Sequence, residues 1–404
     1  MTDMSKKFNW ETILLLWLAF FFNQADRQIF NVALPLVKLD LGLTDMQLGL
    51  ISAVFILAIG LFVPVAGYIG DRFSKKRVII LSVLIWSVAT FCTGFSGGFI
   101  ILIILRSTVG GSEAFYAPAA NALIGEKFKA NLGVAMALHQ TALYAGIIGS
   151  GLLGGYIAEQ YGWRTAFFVF GGIGIVLFVL MLFRLEEGKR DRDTGYSLSF
   201  FDGLKMLLQK KTAVLLTGAF TCMVFVNVGY LTWMPTFLHE KFSMSITEAG
   251  FSSMFYHHVS AFIGVMIAGK FSDKLAVKNK VSRLRIQAWA LLLGVPFIIL
   301  MGMATTLPMV YVGLSVFGFF RGMYDSNIYA SLYSVIEERI RASVSASMIM
   351  FAYVVGSFAP AILGYIKPII GLTMGLSSLS LFYFLGSVLL FCACIFTFKR
   401  DEVN

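Results

Sequence analysis

Charge is scarce in this chain: of 404 residues only 13% are Asp, Glu, Lys or Arg, while 58% are apolar. A soluble domain carries about a quarter charged residues to cover its surface, so a deficit this deep excludes a soluble fold and says that most of the outer surface faces lipid. Cysteine is equally sparse. Cys92, Cys222, Cys392 and Cys394 all lie in apolar stretches without C-x-x-C spacing, which excludes a disulfide framework or a zinc site and leaves core packing. The sequence has no H-E-x-x-H, no Walker loop of the form G-x-x-x-x-G-K-S/T and no metal-spaced His/Cys group. Hydrolysis and nucleotide-driven pumping are therefore not expected. No metal or cofactor is implied, and any concentrating work must draw on an ion gradient.

What the chain has in quantity is long apolar runs. A helix needs roughly 20 apolar residues to cross a hydrocarbon core of about 30 Å. Breaks between runs predict twelve spans, near 11–37, 46–70, 78–96, 98–124, 131–158, 163–184, 212–238, 246–270, 284–304, 307–335, 342–366 and 373–398. The first run, from Thr12, has no small-residue cleavage site and reads as a retained span rather than a secretory signal. The expected fold is all-α and integral to the membrane, with twelve transmembrane helices in two pseudo-symmetric six-helix bundles.

The net charge of +10 raises the question of nucleic acid, but the cations sit in short loops rather than on one folded face. Lys6, Lys7, Arg72, Lys75, Lys76, Arg77, Lys127 and Lys129, the central loop, the 270–285 loop, Arg339, Arg341, Lys399 and Arg400 would share one side. The opposite loops hold Lys38, Arg164, Lys241 and Lys367. That bias predicts both termini in the cytoplasm and a multi-pass protein of the cytoplasmic (inner) membrane.

The polar stretch 186–211 divides the chain into an N-terminal bundle, 1–185, and a C-terminal bundle, 212–404, and reads as a cytoplasmic linker. The halves echo each other. Gly67 to Asp71 after span 2 has a counterpart in Gly269 to Asp273 after span 8, and Gly154-Gly155-Tyr156-Ile157 in span 5 has one in Leu363-Gly364-Tyr365-Ile366 in span 11. Corresponding places in the topology point to a duplicated six-helix unit, a common construction among secondary transporters.

The segment Gly67-Tyr-Ile-Gly-Asp71-Arg72-Phe-Ser74-Lys75-Lys76-Arg77 resembles the loop motif G-x-x-x-D-R-x-G-R/K-R/K of the major facilitator superfamily, with Ser74 in place of the second glycine. The resemblance implies a conformational latch built from Gly67, Asp71, Arg72 and Lys76, with Asp273 in the other half. Three further stretches are similar to the anion:cation symporter branch and to the neighbouring spinster-like transporters. They are Asn23-Gln-Ala-Asp26-Arg27-Gln28, the segment from Arg106 through Gly110-Gly111 and Glu113-Ala114 to Pro118, and Tyr161-Gly162-Trp163-Arg164. In those families the residue matching Asp26 is implicated in proton coupling and that matching Arg27 in anion binding.

An ionisable side chain in mid-span costs roughly 2.5–3.5 kcal/mol to insert, which makes it a functional candidate. In span 1, Asn23 and Arg27 share a face while Asp26 lies about 100° around the helix. A guanidinium fork suits a substrate carboxylate. In span 4, Arg106 and Glu113 stand about 10.5 Å apart along the axis, too far for a direct pair, so each is expected to seek a partner on another helix. Glu113 can exchange a proton for an ion pair with Arg27 or Arg106. In span 10, Arg321 and Asp325 are spaced for an i,i+4 pair, beside Tyr324 and Asn327. Gln140, Asn227, Tyr230 and Tyr256 are candidate hydrogen-bonding ligands, whereas His139, His257 and His258 read as packing residues.

These readings lead to an expectation of proton-coupled symport of a small organic anion, such as a hexuronate, aldonate or sialic acid, by a monomer using alternating access. Asp26 and Glu113 would couple protons, and Asn23, Arg27, Arg106, Gln140, Tyr256, Arg321, Asp325 and Asn327 would bind substrate. The partners are then the anion, protons and the bilayer, without nucleic acid. A spinster-like carrier of lysophospholipid is the alternative, and a ligand sensor that does not transport is the alternative of another class.

Overall fold

The computed structural model describes residues 9–187 and 200–403. Among them twelve helices run back and forth in chain order. Span 1 is Trp10–Leu41, span 2 Asp45–Arg72 and span 3 Lys75–Thr93. Span 4 is Phe99–Lys127, span 5 Leu132–Tyr161 and span 6 Trp163–Arg184. Span 7 is Lys211–Phe242, span 8 Ile246–Ala276, span 9 Ser282–Met303 and span 10 Leu307–Tyr333. Span 11 covers 341–370 and span 12 covers 372–401. They are divided at Gly371, whose φ of 73° and ψ of 164° no helix accommodates.

Length and apolarity alone single out ten membrane-crossing stretches. Spans 11 and 12 merge in that count, and span 1 drops out. Its middle carries Asn23, Gln24, Asp26, Arg27, Gln28 and Asn31, enough polarity to cancel the apolar flanks. The helix with the most candidate site residues is thus the least typical membrane helix.

Duplication is visible in the backbone. Span 1 ends on Gly42 and span 7 on Ser243, both left-handed, with φ of 61° and 54°. Thr44 and Ser245 then cap spans 2 and 8 through capping boxes closed by Gln47 and Glu248. Spans 4 and 10 are both broken, which their continuous apolar patterns did not predict. Span 4 divides into Phe99–Glu113 and Tyr116–Lys127, and span 10 into Leu307–Asp325 and Ile328–Tyr333. In each, the acidic residue is the last of its first segment, and discontinuous helices of this kind carry the binding sites of many transporters. The linker also differs from a plain polar loop. Phe200–Gln209 is helical and buries Gly203 and Leu207, with Gly203 seated against the Ser343 backbone at the start of span 11.

The two halves meet at the end of the bundle opposite the termini. Gly49 packs on Pro360, Gly364 on Asp45 and Gly151 on Gly250, each so closely that a methyl group would collide, and Gly155 packs tightly on Thr247. Lys367 of span 11 bonds Asp45 at 2.9 Å and Glu240 at 2.6 Å, and Lys38 meets Asp45 at 2.8 Å. Glu159 accepts from the Thr247 amide at 2.9 Å. At the end carrying the termini, Gly67, Gly70, Gly133 and Gly269 of spans 2, 5 and 8 face open space. The bundle is closed at the far end and open at the terminal end.

Candidate functional site

Span 1 brings its polar middle against spans 3 and 4. Arg27 Nε donates to Glu113 Oε2 at 2.6 Å, with the Arg27 side chain 18% exposed and Glu113 fully buried. Asp26, on the neighbouring face, accepts from Thr90 Oγ1 of span 3 at 3.3 Å. Glu113 Oε1, Asp26 Oδ1 and Asn23 Nδ2 are buried with no hydrogen-bond partner among the described residues. Gln24 donates to Asn23 Oδ1 at 2.9 Å. Arg27 is the member that reaches open space, and its guanidinium is already shared with Glu113.

Arg106 has a different position. Its guanidinium donates to the backbone carbonyls of Asp26 at 3.1 Å and Arg27 at 3.3 Å and lies over the rings of Phe55 and Phe30, at 4.3 and 5.1 Å. It is 1% exposed. The partner it finds on another helix is main chain, not a carboxylate, and the arginine holds the polar turn of span 1 in place.

The second half repeats the theme with other residues. Arg321 Nη1 donates to Asn227 Oδ1 of span 7 and lies 3.4 Å from His257 Nε2 of span 8, while its Nε stands 3.4 Å from Asp325 Oδ2. Asp325 Oδ1 is buried without a hydrogen-bond partner among the described residues. His257, read from sequence as packing, therefore belongs to this cluster as well as contacting Tyr230 and Phe317. His139 does pack, stacked on Phe20 at 4.6 Å and beside Tyr116. Asn327 is fully buried and turned onto its own helix, donating to Ser326 Oγ at 2.9 Å and Met323 O at 3.3 Å. Tyr256 stacks on Tyr311 of span 10, with centroids 4.2 Å apart.

Two tyrosines join the clusters across the interface, and sequence reasoning named neither. Tyr353 of span 11 lies close enough to Arg27 to interact electrostatically and packs on the core of the first half. Tyr144 of span 5 lies edge-on to His258 and Phe262 of span 8, close enough to Asp325 and Arg321 to interact electrostatically. Gln140, one turn before Tyr144 on the same stripe, is exposed toward the open end.

The latch residues are apart. The side chain of Asp71 lies outside the described residues. The Arg72 guanidinium sits over Tyr68 at 4.2 Å, Gly67 faces open space, Lys76 is half-buried at the start of span 3, and Asp273 pairs with Arg283 of its own half at 2.7 Å. Among the described residues no cluster of His, Cys, Asp and Glu has the spacing to hold a metal ion.

Comparison with known proteins agrees with this architecture. The family model for the Major Facilitator Superfamily matches residues 16–360. The probable galactarate/D-glucarate transporter of Bacillus subtilis is 29% identical over 301 residues, 67% of this chain and 66% of its own length. The hexuronate transporter of the same organism is 25% identical over 374 residues, covering 88% of this chain and 87% of that protein. Protein spinster homolog 1 of Xenopus laevis is 30% identical over 250 residues, and there the chain spans only 47% of the relative's length. Among solved structures, a bacterial homolog to the human lysosomal transporter Spinster, inward-facing and unoccupied, superposes with a TM-score of 0.84 at 19% identity over the whole of both chains, a likeness of fold. Two six-helix halves around paired buried charges, together with the family match over most of the sequence, establish that the chain belongs to the Major Facilitator Superfamily.

Proposed function

We propose that this transporter carries a small organic anion, of the sugar-acid class, together with protons, and that its termini are cytoplasmic, so that the open end faces inward. The observation that carries the reading is the Arg27–Glu113 contact at 2.6 Å. A substrate carboxylate and Glu113 compete for one guanidinium. A proton on Glu113 removes the competitor and frees the fork for the anion, and loss of that proton restores the pair and expels the anion. Anion and proton then bind together, which is the condition for symport. Asp26, buried beside the same turn, supplies a second proton site. The relatives named for galactarate, D-glucarate and hexuronate support the substrate class.

The spinster-named relatives make a lysophospholipid the competing cargo. Uptake into proteoliposomes with an imposed proton gradient separates the two. Labelled glucuronate and glucarate should accumulate in wild type and fail to do so in Arg27→Ala, whereas transfer of lysophospholipid without sugar-acid uptake would overturn the proposal.

A further inference from the structure

A groove of about 350 Å³ opens on the second half between spans 8, 9 and 10. Phe271, Leu275, Trp289, Leu293 and Phe320 make it apolar, and Ser282 and Arg285 stand at its mouth. It is not part of the central cavity. On span 8 the stripe facing the first half runs through Phe262 to Gly269, and Phe271 lies about 200° around the helix from Gly269, on the opposite side. Phe271 and Trp289 are about half exposed there, at 53% and 52%.

The dimensions and charge of the groove select its occupant. From Ser282 to Leu293 span 9 rises about 16 Å, close to one leaflet of a hydrocarbon core about 30 Å thick. Arg285 lies one turn inside the start of span 9, where a headgroup phosphate would sit. Of the neighbouring cations, Arg283 is neutralised by Asp273 at 2.7 Å and Lys280 by Glu402 at 3.7 Å, while Lys270, Lys274 and Lys278 do not line the groove. Arg285 is exposed and makes no ion pair among the described residues. An unpaired guanidinium closing an apolar slot one leaflet deep is complementary to a lipid carrying negative charge above an acyl chain. We infer that this groove binds an anionic glycerophospholipid, its chain along Trp289 and Leu293 and its phosphate on Arg285.

The test is quenching of Trp289 fluorescence by phosphatidylglycerol brominated on its acyl chains, against phosphatidylcholine with the same chains, in detergent-solubilised full-length protein. The quenching component that disappears in Trp289→Phe is the one read. It should favour phosphatidylglycerol, and Arg285→Gln should lower that preference roughly fivefold, the weight of one basic residue at an anionic surface. Arg285→Lys should retain most of it. Lys278→Gln, in the same loop but outside the groove, should retain all of it. Equal quenching by the two lipids, or a preference unchanged in Arg285→Gln, overturns the inference. So does full displacement by millimolar inorganic phosphate, which would mark a phosphate site rather than a lipid site.

Discussion

Tyr144 and Tyr353 stand 209 positions apart, the same offset that relates Gly155 to Gly364, and each reaches into the charge cluster of the opposite half. Tyr353 lies near Arg27, while Tyr144 lies against His258 and near Asp325. The repeat therefore supplies both the charged pairs and the groups that tie them across the interface. A change at Arg27 is felt by span 11 directly.

That tie gives a first prediction. Tyr353→Phe removes a polar interaction with a charged group, worth about 1 kcal/mol or roughly fivefold in population, and leaves the ring packing intact. The conformation open at the terminal end should lose ground by that factor. Spin labels at Leu132 and Val277, exposed on opposite halves at that end, report it on a cysteine-free background. A distance distribution identical to wild type would show that the hydroxyl does not hold this state.

Glu113 gives the second. Under the competition proposed for Arg27, Glu113→Gln leaves the guanidinium permanently available to the anion. Exchange of labelled for unlabelled substrate should persist, while accumulation driven by a proton gradient should fall sharply. Exchange should also lose the part of its pH dependence that Glu113 carries, leaving that of Asp26. If the glutamine variant concentrates substrate as well as wild type, Glu113 is not on the proton's route.

How much of this was legible beforehand differs by level. The twelve crossings, the two halves and the charged residues in mid-span follow from apolar runs and loop cations, because the bilayer imposes length and charge rules on every span. The contacts across the interface do not follow. Tyrosine is amphipathic and common here, with fifteen in the chain, and nothing in local spacing says which helix of the other half it will meet. The breaks after Glu113 and Asp325 are equally hidden, since the apolar pattern runs straight through them. Arg106 misleads for another reason: acids are the obvious partners for a buried arginine, yet main-chain carbonyls of a polar turn serve as well.

That arrangement makes Arg106 the subject of a stability prediction. Its fork spans two carbonyls while its flat faces lie against Phe30 and Phe55. Lysine keeps the charge but lacks the planar fork and the stacking surface. Arg106→Lys should therefore destabilise the protein by about 2 kcal/mol, the worth of a hydrogen bond made by a charged group. It should appear as a lower unfolding temperature in detergent, with or without substrate. Unchanged stability combined with lost substrate affinity would instead make Arg106 a ligand for the anion.

The far-end closure rests on close glycine contacts between spans 5 and 8, and these can be opened by a single methyl group. A Cβ on Gly151 would come within 2.5 Å of the Gly250 carbonyl oxygen and 2.8 Å of its carbon, and backbone cannot yield as a side-chain tip does. Overpacking of this kind costs about 1–3 kcal/mol. In a two-state transporter that cost falls on the conformation in which the far end is shut, because the two spans separate when it opens. Gly151→Ala should therefore shift the population toward the opposite state rather than simply unfold the protein. Labels at Leu39 and Ser243, on opposite halves of the far end, should move apart while those at Leu132 and Val277 draw together. A loss of thermal stability with both distances unchanged would mean that the contact supports the fold in either state and does not select between them.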